Sequence, residues 1–181
     1  RPEAVDQNYD LGRVLGDDET GFDGTENAPY RTEAWQFLLA GGGAFSHLDY
    51  SFSVEHPRGT KEPGTSPGGG GEALRAQLGY LRTVLESFDL PALHPADSIV
   101  VGGVPDSVSV EAIGEADGAG VALHLAGGSQ VDLELDLPEG AYRARWIDPA
   151  ARDTLRETRV LSGADPAVRP SPQYATDLAL E

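Results

Sequence analysis

The spacing of the hydrophobic positions changes about half-way along the chain. In the first half, two segments have hydrophobic residues at the spacing of an α-helix. The first helix is predicted to begin after Asn27, as its N-cap, with Pro29 in the first turn, and to stop at Gly41. The second follows a glycine-rich loop and ends before Pro91. Its predicted apolar stripe runs in steps of four and three through Leu74, Leu78, Leu81, Leu85 and Phe88.

Two further segments of the first half predict strands. The sequence "GRVLGDDE" precedes the first helix, and "AFSHLDYSFSV" (44–54) lies between the helices. Strands that alternate with helices indicate a parallel sheet with crossover helices. Two such strands alone would leave bare sheet edges, whereas a (β/α)8 barrel ends in this order of elements. We therefore expect residues 1–94 to be the C-terminal portion of a TIM barrel, its last two β/α units.

The second half has a period of two. Apolar residues at 131, 133, 135 and 137 alternate with acidic residues at 132, 134 and 136, and six other short segments alternate similarly. Alternation with one wet face indicates antiparallel sheet, and about seven such strands indicate a β-sandwich over residues 95–181. "GGSQ" (127–130) and "PEG" (138–140) are predicted hairpin turns, and the segment 90–98 a linker. The predicted fold class is α/β plus all-β.

Charge and composition exclude several classes of partner and site. The 181 residues carry 30 Asp and Glu against 13 Lys and Arg, a net charge of −17. Because phosphate binding needs a basic surface, we expect neither nucleic acid nor an anionic membrane as a partner. Lys61 is the one lysine, and such an acidic surface suits either high salt or simple solubility.

The residue inventory also limits the chemistry. With no cysteine, the chain has no disulfide and no thiolate nucleophile or ligand. The four histidines are scattered, so no metal site is predicted, and no other cofactor is expected. No apolar run reaches the roughly 18 residues of a transmembrane helix. The sequence does not define the compartment.

Two blocks of the sequence resemble a known family. The segments "DDETGFDG" and "AWQFLLAGGGAFSHLDYSF" resemble the end of the catalytic barrel of bacterial cellulase-like glycoside hydrolases, similar to the family 5 enzymes of the retaining barrel clan. "LPEGAYRARWIDPAARDT" and "TDLALE" resemble the C-terminal β-sandwich of the same proteins, often labelled a collagen-binding domain. The resemblance implies the C-terminal part of a retaining glycosidase that acts on a polysaccharide or oligosaccharide.

The resemblance also implies a nucleophile. In that clan it is a Glu at the end of barrel strand seven, and Glu19 matches it here. The general acid/base lies at the end of strand four, outside this sequence. A retaining mechanism needs both carboxyl groups, so we expect this chain to be inactive alone. The alternative for Glu19 is a solvated acidic turn, and Asp18 is its rival as the functional acid.

The segment "HLDYSF" supplies the other candidate residues. The resemblance places His47, Asp49 and Tyr50 in the sugar subsite, where aromatic faces suit C–H surfaces and carboxylates suit hydroxyls. The alternative interpretation has Tyr50 in the core and His47 as a satisfied loop residue. Phe52 is interpreted as core.

The second half leaves other functions open. The sandwich could be a carbohydrate- or matrix-binding module without catalysis, or it could only cover and stabilise the barrel by burying apolar area. The expected partners are a carbohydrate substrate and the missing N-terminal barrel segment.

Overall fold

The fold consists of two compact units, Arg1–Val84 and Leu85–Glu181. The structure, a computed structural model, describes residues 7–9, 13–15, 17–19, 24–62, 70–116, 118–163 and 166–181, the first three segments by their backbone. Within them the chain is mainly β-structure with two α-helices. The domain assignment with its boundary at 94–95 stays a prediction.

The first unit contains part of the predicted alternation of strands and helices, because the segment "GRVLGDDE", predicted as one strand, contributes two strands to two different sheets. Its elements are β1 (Gln7–Tyr9), β2 (Arg13–Leu15), β3 (Asp17–Glu19), α1 (Asn27–Leu39), β4 (Ala44–Ser46) and α2 (Glu72–Leu85, which ends at the unit boundary). The first two strands pair antiparallel, and β3 pairs parallel with β4 across α1. The strand expected over 44–54 is only three residues long, because the chain turns at Asp49, whose carbonyl accepts a hydrogen bond from the Phe52 amide.

Both helices depart in detail from the predicted pattern. In α1 the N-cap is Glu26, without a side-chain capping bond, so Asn27 is the first helical residue and not the cap. Gly41 ends the helix as expected, in a left-handed conformation with φ of 93°. In α2 the buried face is Leu74, Gln77, Leu81 and Val84, rotated from the predicted stripe.

The second unit is built from two antiparallel sheets. The six-stranded sheet has the order β11-β10-β13-β8-β7-β5, and the three-stranded sheet the order β12-β9-β6. The strands are β5 (Leu93–Pro95), β6 (Val100–Gly102), β7 (Ser109–Glu115), β8 (Val121–Ala126), β9 (Asp132–Leu135), β10 (Gly140–Asp148), β11 (Asp153–Ser162), β12 (Ala167–Pro170) and β13 (Asp177–Leu180). Two of these were not predicted, β12 and β5, and β5 lies in the segment interpreted as a linker.

One apolar core is formed by side chains of both sheets. Its buried members are Val108, Ala112, Leu123, Leu125, Val131, Leu133, Leu135, Trp146, Leu178 and Leu180. Trp146 is 1% exposed, and in the first unit Trp35 is fully buried as well. This burial gives the second unit a hydrophobic core of its own.

The burial pattern of individual strands shows where alternation fails. On β9 the acidic residues are exposed and the leucines buried, as predicted. In the six-stranded sheet, the adjacent strands β8 and β13 are buried on both faces. The prediction of one solvent-exposed face is therefore wrong for these two strands. His124 of β8 and Asp177 of β13 lie on this second buried face and pair through Nε2 and Oδ2 at 3.2 Å. Buried polar groups need such partners.

The two predicted hairpin turns are wrong. "GGSQ" joins β8 of the six-stranded sheet to β9 of the three-stranded sheet, and "PEG" joins β9 back to β10. Both segments therefore pass between sheets instead of closing a hairpin. In the described part of this unit, hairpins connect β7 to β8 and β10 to β11.

Candidate active site

The candidate site is the edge where β3 and β4 both end. The two strands are parallel and in register, with Asp17 opposite Ala44 and Glu19 opposite Ser46. Their carboxyl ends therefore meet at one edge of the pair, and the segment that follows β4 begins there with His47. Parallel α/β sheets carry their functional groups at this end of the strands. For Glu19 the structure describes the backbone alone, so the orientation of its carboxylate lies outside the described residues.

His47 is held against the first helix. Its ring packs edge-on against that of Tyr30, with 4.6 Å between the ring centroids. Tyr30 is itself fixed, since it is 1% exposed and its hydroxyl donates to the Gly24 carbonyl at 2.6 Å. Burial lowers the pKa of His47, and the nearby Asp49 charge opposes this shift only in part. The imidazole is thus neutral near pH 7, able both to donate and to accept a hydrogen bond.

Asp49 is fixed by internal hydrogen bonds. Its Oδ1 accepts from the Ser51 amide at 3.0 Å, the Ser51 hydroxyl at 2.5 Å and the Gly71 amide at 3.0 Å, and its Oδ2 accepts from Arg75 Nη1. Partial burial acts to raise the pKa of Asp49, but the hydrogen bonds from Ser51, Arg75 and Gly71 outweigh it and lower that pKa. Three of these bonds converge on Oδ1 and one reaches Oδ2, so Oδ1 is saturated while Oδ2 can still accept another hydrogen bond.

Arg75 of α2 joins three parts of this loop. Besides Asp49, its guanidinium donates to the Ser51 hydroxyl at 2.9 Å and to the Gly59 carbonyl at 3.1 Å. It also lies 5.1 Å from the ring centroid of Phe52, a cation–π contact that keeps this ring half-exposed instead of in the core. The segment after β4 is therefore tied to α2 through one arginine.

Two glycines allow this arrangement. A Cβ at Gly70 would overlap Asp49 Oδ1, and the φ of 138° at Gly70 disfavours any other residue. A Cβ at Gly59 would lie 2.8 Å from Arg75 Nη1. The sequence predicted only a glycine-rich loop here and gave no indication of Ser51 or Arg75. The signal that the sequence did contain was the glycine run 68–71, since such a run permits a backbone close to other groups.

The structure thus brings together part of the predicted site. The end of β3 with Glu19 and the segment with His47 and Asp49 meet at one edge, and Tyr50 follows there, partly buried in the turn. The roles assigned to these residues stay predictions. Among the residues that the structure describes, no three His, Asp or Glu side chains cluster as a metal site would require, and neither α-helix has the length and apolar character to cross a bilayer.

Comparison with known proteins gives a fold-level answer. No family model matches the chain, and no curated protein matches it. Among solved structures, a protein described as a glycoside hydrolase matches at 14% identity with a TM-score of 0.54. The chain folds like part of a glycoside hydrolase. A glycoside hydrolase family 5 protein from Bacteroides vulgatus matches at 14% identity with a TM-score of 0.53.

The two matches cover most of this chain but a smaller share of each solved structure. In both cases the alignment covers 86% of this chain but only 36% of the solved structure. The chain therefore spans about a third of the length of these glycoside hydrolases and shares their fold over that part. At this identity the likeness concerns the fold, and the collagen-binding label drawn from the sequence resemblance is not supported by it.

Proposed function

We propose that this chain is the C-terminal part of a retaining glycoside hydrolase that acts on a polysaccharide or oligosaccharide. In this proposal the first unit supplies the last two β/α units of a (β/α)8 barrel and the second is an antiparallel β-sandwich. The observation that carries the proposal is the parallel, in-register pairing of β3 with β4, which brings Glu19 and the His47 segment to one edge. The fold-level likeness to glycoside hydrolases supports it.

The proposed chemistry assigns the nucleophile to Glu19. Its carboxylate attacks the anomeric carbon as the bond to the leaving oxygen breaks, and that oxygen takes a proton from a second carboxyl group. The ionised second group then removes a proton from water, which attacks the anomeric carbon and releases Glu19. The second group stands about 5–5.5 Å away in retaining enzymes, and in this proposal it belongs to a barrel segment outside this sequence.

The remaining residues bind and orient the sugar in this proposal. The neutral His47 can hydrogen-bond a hydroxyl as donor or acceptor, and the ring of Tyr50 can lie against the C–H face of a sugar. Asp49, with its Oδ1 saturated by internal hydrogen bonds, orients the loop that carries both. The expected partners are the carbohydrate substrate and the N-terminal barrel segment, without nucleic acid or membrane.

The test uses the complete protein that contains this chain. Glu19→Gln keeps the side-chain shape but removes the nucleophile, so turnover of an aryl glycoside should fall by at least about 10³-fold. Glu19→Ala with added azide as an external nucleophile should regain turnover and release a glycosyl azide. Asp18→Asn is the matched control and should retain activity. Full turnover by the Glu19→Gln enzyme, or its loss in Asp18→Asn alone, would reject the assignment.

A further inference from the structure

The strand β11 forms a long open edge of the six-stranded sheet. It has ten residues, and among the residues that the structure describes it pairs with β10 alone. The strand at the opposite edge, β5, has three residues. An edge strand presents unpaired backbone N–H and C=O groups to any further strand, and short edges are one way to avoid such pairing. The edge at β11 lacks this protection.

The unpaired backbone groups of β11 belong to Glu157 and Arg159. On β10, Arg145 exchanges two backbone hydrogen bonds with Glu181, at 2.7 and 3.0 Å, so its N–H and C=O point away from β11. Glu157 lies directly opposite Arg145. In an antiparallel ladder, hydrogen-bonded pairs alternate with pairs whose backbone groups point away from each other. The N–H and C=O of Glu157, and those of Arg159 two residues on, therefore face the open edge.

The two faces of β11 differ in burial. Val160 and Ser162 are buried and hold the strand in the sandwich. The side chains at 155, 157, 159 and 161 are exposed, and among them Leu155 is 45% and Leu161 81% exposed. An exposed leucine near each end of the edge, with Glu157 and Arg159 between them, gives this strand a surface that could bury apolar area against a second strand.

The β10–β11 hairpin also differs in charge from the whole chain. Residues 140–162 contain five arginines and three acidic residues, in a chain with 13 basic and 30 acidic ones. Within the hairpin, Arg159 lies directly opposite Arg143. Like charges in opposite positions of a sheet repel each other. A carboxylate on the open side of Arg159 would offset this repulsion.

The strand itself supplies this carboxylate when it is aligned antiparallel with a copy of itself. With Thr158 on the two-fold axis, Glu157 lies opposite Arg159 of the second copy and Arg159 opposite its Glu157, and Leu155 lies beside Leu161. An axis one residue away would place two glutamates or two arginines opposite each other. The register of β11 with β10 shifts beside Leu155, so the regular pairing extends over residues 156–160.

We propose that β11 pairs antiparallel with β11 of a second copy of this chain, about a two-fold axis at Thr158. Glu157 and Arg159 form hydrogen bonds through their backbones and ion pairs through their side chains with Arg159 and Glu157 of the second copy. A two-fold interface is self-complementary, so each of these contacts occurs twice. Because the contact is narrow, we expect a Kd of about 10–100 μM.

The test is sedimentation equilibrium of the 181-residue chain at about 5–500 μM, with two charge reversals. Glu157→Arg and Arg159→Glu each create like-charge pairs and should each weaken dimerisation by about 10-fold or more. The double variant exchanges the charges and should dimerise within about 3-fold of the original chain. A mixture of the two single variants should form a heterodimer, since all its cross-strand charges are opposite.

A matched control separates these contacts from the repulsion between two acidic chains. Arg58→Glu makes the same charge change as Arg159→Glu at an exposed residue of the first unit and should leave the Kd within about 3-fold. General repulsion predicts that Glu157→Arg strengthens dimerisation, because it lowers the net negative charge. The proposed pairing predicts the opposite.

A single cysteine tests the alignment. Thr158 lies opposite itself in a pair without mutual hydrogen bonds, where Cα atoms are about 4.5 Å apart, within the range of a disulfide. The chain has no cysteine, so Thr158→Cys should form a covalent dimer with oxidised glutathione. Thr154→Cys, at another exposed threonine of β11, should not, because its two copies would be about 26 Å apart.

The possible results decide the proposal. Amide spectra that superimpose outside β10 and β11 show that a variant is folded, and if Thr158→Cys is not, the charge reversals carry the test. A chain that stays monomeric to about 500 μM, single reversals without effect, or a double variant that stays weakened would overturn the pairing. So would equal cross-linking at positions 154 and 158, or a monomer whose β11 amides shift with an acidic Val-Glu repeat peptide. The pairing requires no turnover, so it and the Glu19 assignment can fail independently.

Discussion

The four hydrogen bonds accepted by Asp49 make a local, measurable prediction. Asp49→Ala leaves the Ser51 and Gly71 amides without their acceptor and Arg75 without its carboxylate. An unmade hydrogen bond costs about 1–3 kcal/mol when the group is buried. The Asp49 side chain is 13% exposed, so water reaches the vacated site in part and the lower end, about 1–2 kcal/mol, applies. This corresponds to a change of about 5–30-fold in a local opening equilibrium.

The assay is residue-resolved amide hydrogen exchange in the 181-residue chain, since it reads local opening without requiring global unfolding. We expect the Ser51 and Gly71 amides to exchange about 5–30-fold faster in Asp49→Ala. In Asp49→Asn the effect should be smaller, because the amide oxygen can still accept from both.

The matched control uses an aspartate of the second unit. Asp97 Oδ1 accepts from the Ala112 amide at 2.8 Å, so Asp97→Ala should accelerate exchange at Ala112 and leave Ser51 and Gly71 unchanged. If Asp49→Ala left both of its amides at their original rates, the carboxylate would not hold this loop, and the reasoning would be refuted.

Four further outcomes are expected. The folded-state pKa of Asp49 is lowered, so the ionised carboxylate stabilises the loop fully above its ordinary pKa of 3.8. This stabilisation is lost as the pH falls through the lowered pKa, and the exchange rates of the Ser51 and Gly71 amides should rise over that pH range. By NMR, the His47 imidazole should titrate below 6.5, and lower still in Asp49→Asn, where the attraction that opposes burial is gone. Gly70→Ala should speed amide exchange at Ser51 and Gly71, because the added Cβ would overlap Asp49 Oδ1. Gly24 also has a positive φ but no atom near the added Cβ, so Gly24→Ala should leave these rates unchanged. Leu133→Ala in the fully buried core should cost about 2–5 kcal/mol in denaturant unfolding.

The sequence predicted best what depends on local periodicity. On β9 the alternation of acid and leucine matches the observed burial residue by residue, because one side of that sheet faces water. On β8 and β13 the pattern does not reveal that both faces are buried, and the two polar residues there, His124 and Asp177, pair with each other although they are 53 positions apart. The sequence pattern of one strand contains no information on what covers its second face.

Turns and connections were the least predictable features. "GGSQ" and "PEG" have suitable residues for tight turns, yet each leads the chain to the other sheet. Turn residues determine the local backbone geometry but not which strand lies opposite. For the same reason β5 was missed, because a short segment between prolines acquires its strand character only from pairing with β7.

The candidate site was predicted in part, for the same physical reason. The alternation of strands and helices predicted a parallel pair of strands. In the structure that pair places Glu19 directly opposite Ser46. The charged partner of Asp49, by contrast, is Arg75, which lies 26 residues away on α2. Such a contact follows from packing and cannot be read from a local pattern.

The environment of Asp49 also limits which acid can donate the proton in a retaining reaction. A general acid needs a pKa near the working pH, so that it is protonated when substrate binds. The bonds from Ser51, Gly71 and Arg75 stabilise the ionised form of Asp49 and lower its pKa, the opposite of this requirement. Protonation would also break the contact with Arg75, which holds the loop. Asp49 is therefore unsuited to serve as the second carboxyl group beside Glu19, which agrees with the proposal that this group belongs to a barrel segment outside this sequence.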